Sequence, residues 1–291
     1  MSRTQTRRKE PTVPHARWVE ANGAHLHTEL AGQGDAITML HGFLVDSGQW
    51  DGEFAAFADT HRVLRYDLRG FGRSSMPEQP FSHHQDLAAV LDASGIQRTA
   101  LLTCSGGAAT AIDFALEHPD RVSSLVLIGP GYWGRYANST PEAKDFLAAL
   151  QRNDGEAMLE SSLRAFVDGP RRLSVQSNPE ARARIQAMSA WNFGREDGYW
   201  RHAHWQRTPE PSSLDRLSEL RMPALVIVGE EDQPEVIELS LGLADGMPNA
   251  HLVHVPDAGH HTNIEAPSVV MALLREAFAP PAAFNNNASL D

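Results

Sequence analysis

The sequence predicts an α/β protein: a mostly parallel sheet flanked by helices and interrupted by one helical insertion. Three observations predict it. Short apolar runs of strand length alternate with helical patterns along most of the chain, and such alternation places helices on both faces of a parallel sheet. One long stretch, Tyr132 to Arg216, carries helical patterns and no convincing strand. The 291 residues, 42% of them hydrophobic, suffice for one sizeable core, or one core with a small appended unit.

The elements follow in chain order. Trp18 to Glu29 reads as a hairpin, because Asn22-Gly23 supplies the positive φ values of a tight turn. The apolar runs are Ala36–Leu40, Val63–Tyr66, Ala100–Thr103, Ser124–Ile128, Ala224–Val228 and Leu252–Val255. Between them, Asp86–Ser94 sets Leu87, Val90 and Leu91 on one helical face, and Ala108–Glu117 does the same for Ala109, Ile112, Ala115 and Leu116. Ile264–Phe278 reads as a closing helix. The insertion holds four of the six tryptophans: Trp133, Trp191, Trp200 and Trp205. It is placed to cover the C-terminal ends of the strands, where open α/β sheets bind ligands. The expected organisation is a disordered basic tail over 1–14, a core over 15–131 and 217–279, a helical cap over 132–216, and a disordered tail over 280–291.

Composition narrows the function. A net charge of −12 leans away from nucleic acid and from anionic membrane as partners. No apolar run reaches the roughly 18 residues of a membrane span. The basic start, Arg3, Arg7, Arg8 and Lys9, is followed by Glu-Pro-Thr-Val-Pro-His and not by the apolar stretch of a signal peptide. The expectation is a cytoplasmic protein, with the sequons at Asn138 and Asn287 accidental. Cys104 is the single cysteine, so no internal disulfide can form.

Chemistry concentrates where Leu101-Leu102-Thr103-Cys104-Ser105-Gly106-Gly107 joins a strand to a helix. A sharp turn there lifts its central residue out of the backbone and requires small neighbours two before and two after. Centred on Ser105, those neighbours are Thr103 and Gly107, and threonine departs from the usual glycine. Centred on the rival Cys104, the earlier neighbour is the bulky Leu102. Ser105 is the expected nucleophile.

With these motifs on view, the sequence resembles the α/β-hydrolase superfamily from about Trp18 to Phe278. Leu40-His41-Gly42-Phe43 looks like its oxyanion loop, and Tyr66-Asp67-Leu68-Arg69-Gly70-Phe71-Gly72-Arg73-Ser74 like its Asp-x-Arg-Gly-x-Gly-x-Ser signature. Phe114 to Val122 resembles the end of the elbow helix, Val228-Gly229-Glu230-Glu231-Asp232 the acid turn, and Ala258-Gly259-His260 with Glu265 and Pro267 the histidine loop. Five such segments in order are specific for the fold and much less so for a substrate.

A serine hydroxyl needs a base, and the base needs a carboxylate. In this fold the order is Ser, then Asp or Glu, then His. Asp232 follows the strand Ala224–Val228, with Glu230 and Glu231 as neighbouring rivals, and Gln233-Pro234 after it is shorter than the common Asp-x-x-x-Pro. His260 follows the strand Leu252–Val255, and Gly259 and the spacing to Glu265 favour it over His261. The residue after the nucleophile, Gly106, supplies one oxyanion N–H. The resemblance places the other at Phe43, with the side chain of His41 structural.

The remaining signals read blandly. Gly129-Pro130-Gly131-Tyr132-Trp133-Gly134 matches a dinucleotide fingerprint in letters, but comes late in the sheet and reads better as the exit turn into the insertion. His25 with His27, and His202 with His204, lack further ligands at metal spacing. Asp67 and Arg69 read as parts of a structural turn, and the insertion's aromatics as core with a few lining a pocket. The resemblance implies a serine hydrolase that needs no cofactor or metal and acts on a small or medium ester or lactone. Other chemistries of the same fold stay open, namely carbon–carbon bond hydrolysis, acyl transfer, perhydrolysis and cofactor-free proton chemistry, as does a non-catalytic small-molecule receptor.

Overall fold

The structure is a computed structural model and describes residues 15–135 and 137–279. The tails expected over 1–14 and 280–291 lie outside the described residues. Strands β1 (His15–Ala21) and β2 (Ala24–Ala31) form the expected hairpin, with Asn22 at φ 48° and Gly23 at φ 77°. Each apolar run is a strand, extended by a residue or two in most cases: β3 (Ala36–Leu40), β4 (Arg62–Tyr66), β5 (Thr99–Cys104), β6 (Val122–Ile128), β7 (Ala224–Gly229) and β8 (Ala250–Val255).

The core helices are α1 (Asp51–Phe57), α2 (His83–Ala93) and α3 (Gly106–Glu117). Helix α2 starts earlier than the leucine and valine pattern suggests, because His83 and His84 are themselves buried on it. Between β6 and β7 the described chain forms no strand of the sheet. It holds α4 (Pro141–Arg152), α5 (Gly155–Leu163), α6 (Pro179–Gly194), α7 (Tyr199–His202) and several tighter turns. After β7 come α8 (Pro234–Gly246), α9 (Thr262–Glu265) and α10 (Pro267–Ala277). The single closing helix expected over Ile264–Phe278 is therefore split. Proline disfavours helical geometry in the residue before it and suits the first turn of a new helix, and Ala266 sits at φ −126°, ψ 58°.

The eight strands lie in the order β1-β2-β4-β3-β5-β6-β7-β8. Pairings of β2 with β1 and with β4 are antiparallel, and the rest are parallel. From β3 the chain moves outward to β4, then returns to lay β5 on the other side of β3. That reversal opens a crevice at the carboxyl ends of β3 and β5, where ligands bind in such sheets.

Alternation along the strands divides the core. Leu101, Leu125, Leu127 and Val226 face α2 and α3 on one side of the sheet, with Leu87 and Phe114. Leu102, Cys104, Val126, Ile128 and Ile227 face α1 and α10 on the other, with Phe54 and Val270. A third cluster belongs to the insertion: Phe146, Met158, Leu163, Ile185 and Phe193 pack with Leu44 and Val45 after β3, and with Ile264 of α9. The insertion is thus seated on the segment after β3 and on α9.

The turn after β4 is structural, as its sequence suggests. Buried Arg69 forks onto both oxygens of Asp86 at 2.7 Å each. Asp67 accepts from the N–H groups of Ser47 and Arg73 at 3.0 and 2.9 Å. Nearby Asp46 pays for its position. Burial, followed by the repulsion of Asp67, raises its pKa to about 6. A carboxyl held above its unfolded value binds its proton more tightly when folded, so stability falls as pH rises through the window from about 4 to about 6. Asp46→Asn keeps an oxygen for the N–H of Gly48, which Asp46 accepts at 2.9 Å. The variant is expected to gain on the order of 2 kcal/mol at pH 7.5 and little at pH 4, measured by urea unfolding. An equal difference at both pH values would contradict this reading.

Candidate active site

The turn between β5 and α3 holds Ser105 at φ 50°, ψ −123°, a conformation that costs a non-glycine residue about 1–3 kcal/mol and collects at functional sites. Three backbone hydrogen bonds hold it: Ser105 N to Ile128 O at 3.0 Å, Ala108 N to Ser105 O at 2.9 Å, and Gly131 N to Ser105 O at 3.0 Å. The small residue two after Ser105 is required by contact, since a Cβ on Gly107 would lie 2.6 Å from Leu40 O. Thr103, two before, is accommodated: its buried hydroxyl donates to Val126 O at 3.1 Å. Cys104 points into the opposite face of the sheet and is fully buried. Burial pushes its thiol up to about 12, so no thiolate is available near neutral pH.

Ser105 Oγ donates to His260 Nε2 at 2.8 Å, and His260 Nδ1 donates to Asp232 at 2.8 Å to Oδ2 and 3.1 Å to Oδ1. Asp232 is buried, and its Oδ1 also accepts from Gln233 N at 2.7 Å. The rivals are elsewhere: Glu230 is exposed and Glu231 faces Arg171 at 3.3 Å. His261 is buried, and neither ring nitrogen has a partner among the described residues. Burial, then the neighbouring His260, holds its pKa well below the usual value, so it stays neutral. The short acid loop is closed by Gln233, which accepts from Thr140 Oγ1 at 2.7 Å and donates to Ala165 O. Both partners belong to the insertion.

The loop after β3 is fixed from several sides. His41 is buried, donates through Nδ1 to Gly42 O at 2.8 Å and accepts from Leu68 N at Nε2 at 2.9 Å. Burial lowers its pKa and preserves the neutral ring that this pairing needs. Gly42 N donates to Gln49 Oε1 at 2.9 Å, and Gln49 Nε2 donates to Asn263 Oδ1 at 3.0 Å. Trp200 Nε1 donates to Phe43 O at 3.1 Å. Among the described residues, the N–H groups of Phe43 and Gly106 have no acceptor. Gly106 also opens α3, whose N-terminus favours negative charge.

Gln49, Asn263, Trp200, Gln233 and Arg172 are residues that sequence reading misses. Arg172, from the insertion, donates to Glu265 at 2.9 Å, and Glu265 accepts from Gly259 N at 3.0 Å, which anchors the turn before His260. None of these carries a local signal, because each works across a large separation in sequence. The tryptophan content of the insertion was the only hint for Trp200.

A cavity of about 100 Å³ opens over Ser105 and His260. Phe43, Trp133, Phe146, Phe166 and Trp200 form much of its wall. Trp191, by contrast, is 60% exposed. The Gly129–Gly134 segment serves as the exit turn from β6, with Gly131, Tyr132 and Trp133 lining the cavity. Among the described residues, no three His, Cys, Asp or Glu side chains cluster as metal ligands, and no helix is long and apolar enough to cross a membrane.

The model of the α/β hydrolase fold family matches residues 35–267. The chain therefore belongs to that family, and it is an α/β-fold hydrolase. A 2-hydroxy-6-oxononadienedioate/2-hydroxy-6-oxononatrienedioate hydrolase of Burkholderia vietnamiensis is 31% identical over 250 residues, covering 81% of this chain and 84% of the relative. A solved structure described as Est816, an N-acyl homoserine lactone degrading enzyme, is 29% identical with a TM-score of 0.71, covering 90% of this chain and all of that one. A thermophilic esterase of Thermogutta terrifontis is 25% identical with a TM-score of 0.73, covering 90% and 97%.

Proposed function

We propose that the chain hydrolyses small or medium esters or lactones through an acyl-enzyme on Ser105, beneath a cap formed by residues 132–216. The observation that carries this reading is the continuous relay from Ser105 Oγ through His260 to Asp232, 2.8 Å at each step, beside two N–H groups without an acceptor among the described residues. Ser105 Oγ attacks the carbonyl carbon as its proton passes to His260 Nε2. Buried Asp232 stabilises the imidazolium. The oxyanion lies on the N–H groups of Phe43 and Gly106, worth on the order of 3 kcal/mol per donor. His260 then protonates the departing alkoxide. Water, deprotonated by His260, attacks the acyl-serine, and His260 returns that proton to Ser105 Oγ as the acid leaves. The esterase and the lactone-degrading relative, at 25% and 29% identity, support this substrate class.

The dienedioate hydrolase relative favours a second reading, in which the same residues hydrolyse a carbon–carbon bond next to a ketone. Rapid mixing with 4-nitrophenyl acetate separates the two. Ester chemistry is expected to release a burst of 4-nitrophenolate equal to the enzyme present, with acetyl carried on the Ser105 peptide. No burst and no turnover of esters or lactones, together with cleavage of a β-diketone, would favour the second reading.

A further inference from the structure

A second cavity, of about 670 Å³, lies against the first. Gly131, Arg135, Ala137 and Val236 line both, so the two adjoin at those residues. Leu214, from the turn Ser213–Glu219, and Leu239 and Leu241, from α8, line the larger one. Its wall is held in place: Glu235 Oε1 accepts from the N–H groups of Asn138 and Ser139 at 2.8 and 2.7 Å. The inner cavity, about 100 Å³, has room for a reacting head and little more.

We propose that this outer groove binds an unbranched aliphatic tail of the substrate, so that the preferred class is an ester or lactone with a small reacting head and a long apolar tail. The proposal rests on the hydrolytic reading of Ser105. Leu214 and Leu239 are half-buried and Leu241 is exposed along the groove, and they offer a tail apolar contact without hydrogen bonds. The groove can also be filled without disturbing its walls. Gly242 lies on the exposed side of α8 and lines the groove, and a Cβ built there meets nothing within 4 Å.

The test uses γ-valerolactone, γ-octalactone, γ-decalactone and γ-dodecalactone. Titrated into the Ser105→Ala protein, their affinity is expected to rise about threefold per added methylene until the groove is full. Adding Gly242→Trp is expected to weaken γ-decalactone by about tenfold or more while leaving γ-valerolactone unchanged, with Gly242→Leu intermediate. In the protein with Ser105 intact, kcat/KM follows the same order, and Gly242→Trp leaves 4-nitrophenyl acetate within about twofold. Affinity that ignores tail length, or a tryptophan that weakens short and long lactones alike, would overturn the proposal. A binding series that holds without turnover of any ester or lactone would instead overturn the hydrolytic reading and leave the groove standing.

Discussion

Replacing Ser105 by alanine is expected to lower kcat about 10⁴–10⁶-fold against an activated ester, with the fold intact. Among the described residues the side chain makes one hydrogen bond, to His260, so little packing is lost. The position also carries strain, since φ is 50° with a Cβ present. Ser105→Gly removes that Cβ and is expected to be as inactive as Ser105→Ala. It should also be more stable than the alanine variant, by on the order of 1 kcal/mol in urea unfolding. Two inactive variants that differ in stability in this order would separate the chemical role of the hydroxyl from the backbone cost of presenting it. Activity within tenfold of the unaltered protein in either variant would remove Ser105 from the mechanism.

Asp232→Asn is expected to lower kcat by about 10⁴-fold while leaving KM and the melting temperature close to those of the unaltered protein. The reason lies in the second bond that Asp232 makes. Gln233 N donates to Oδ1 at 2.7 Å, so the asparagine must keep its oxygen there. Its NH₂ then takes the place of Oδ2 and faces His260 Nδ1. Two donors cannot share that contact, so His260 loses the proton on Nδ1 and carries it on Nε2. A ring protonated at Nε2 cannot accept from Ser105. Loss confined to kcat would match this tautomer switch, whereas equal loss of fold and activity would indicate that Asp232 is structural.

Much of the core is legible in the sequence because its signals are local. A buried parallel strand is a short apolar run, and the six runs match six strands. The turn at Ser105 is legible because Gly107 has no room for a side chain, and the proposed acid and base because the loops that carry them follow strands. What escapes is long-range. Nothing near Gln49 signals that it will bridge Gly42 to Asn263, which lies more than two hundred residues on. Trp200 and Arg172 likewise act through Phe43 and Glu265, far away in the chain. The break at Ala266-Pro267 was open to detection, since proline disfavours helix in its predecessor. The apolar face running across it hides the break, because α9 and α10 bury Ile264, Val270 and Leu274 in turn.

An activated serine at position 105 is the centre of the proposed mechanism, and a fluorophosphonate reaches it most directly. Such a probe phosphonylates a serine only where a base and an oxyanion site assist. The purified protein should take up one probe per chain, mapped to the peptide that contains Ser105, and Ser105→Ala should take up none. Well-folded protein that stays unlabelled, or that is labelled at another residue with Ser105 untouched, would contradict the mechanism.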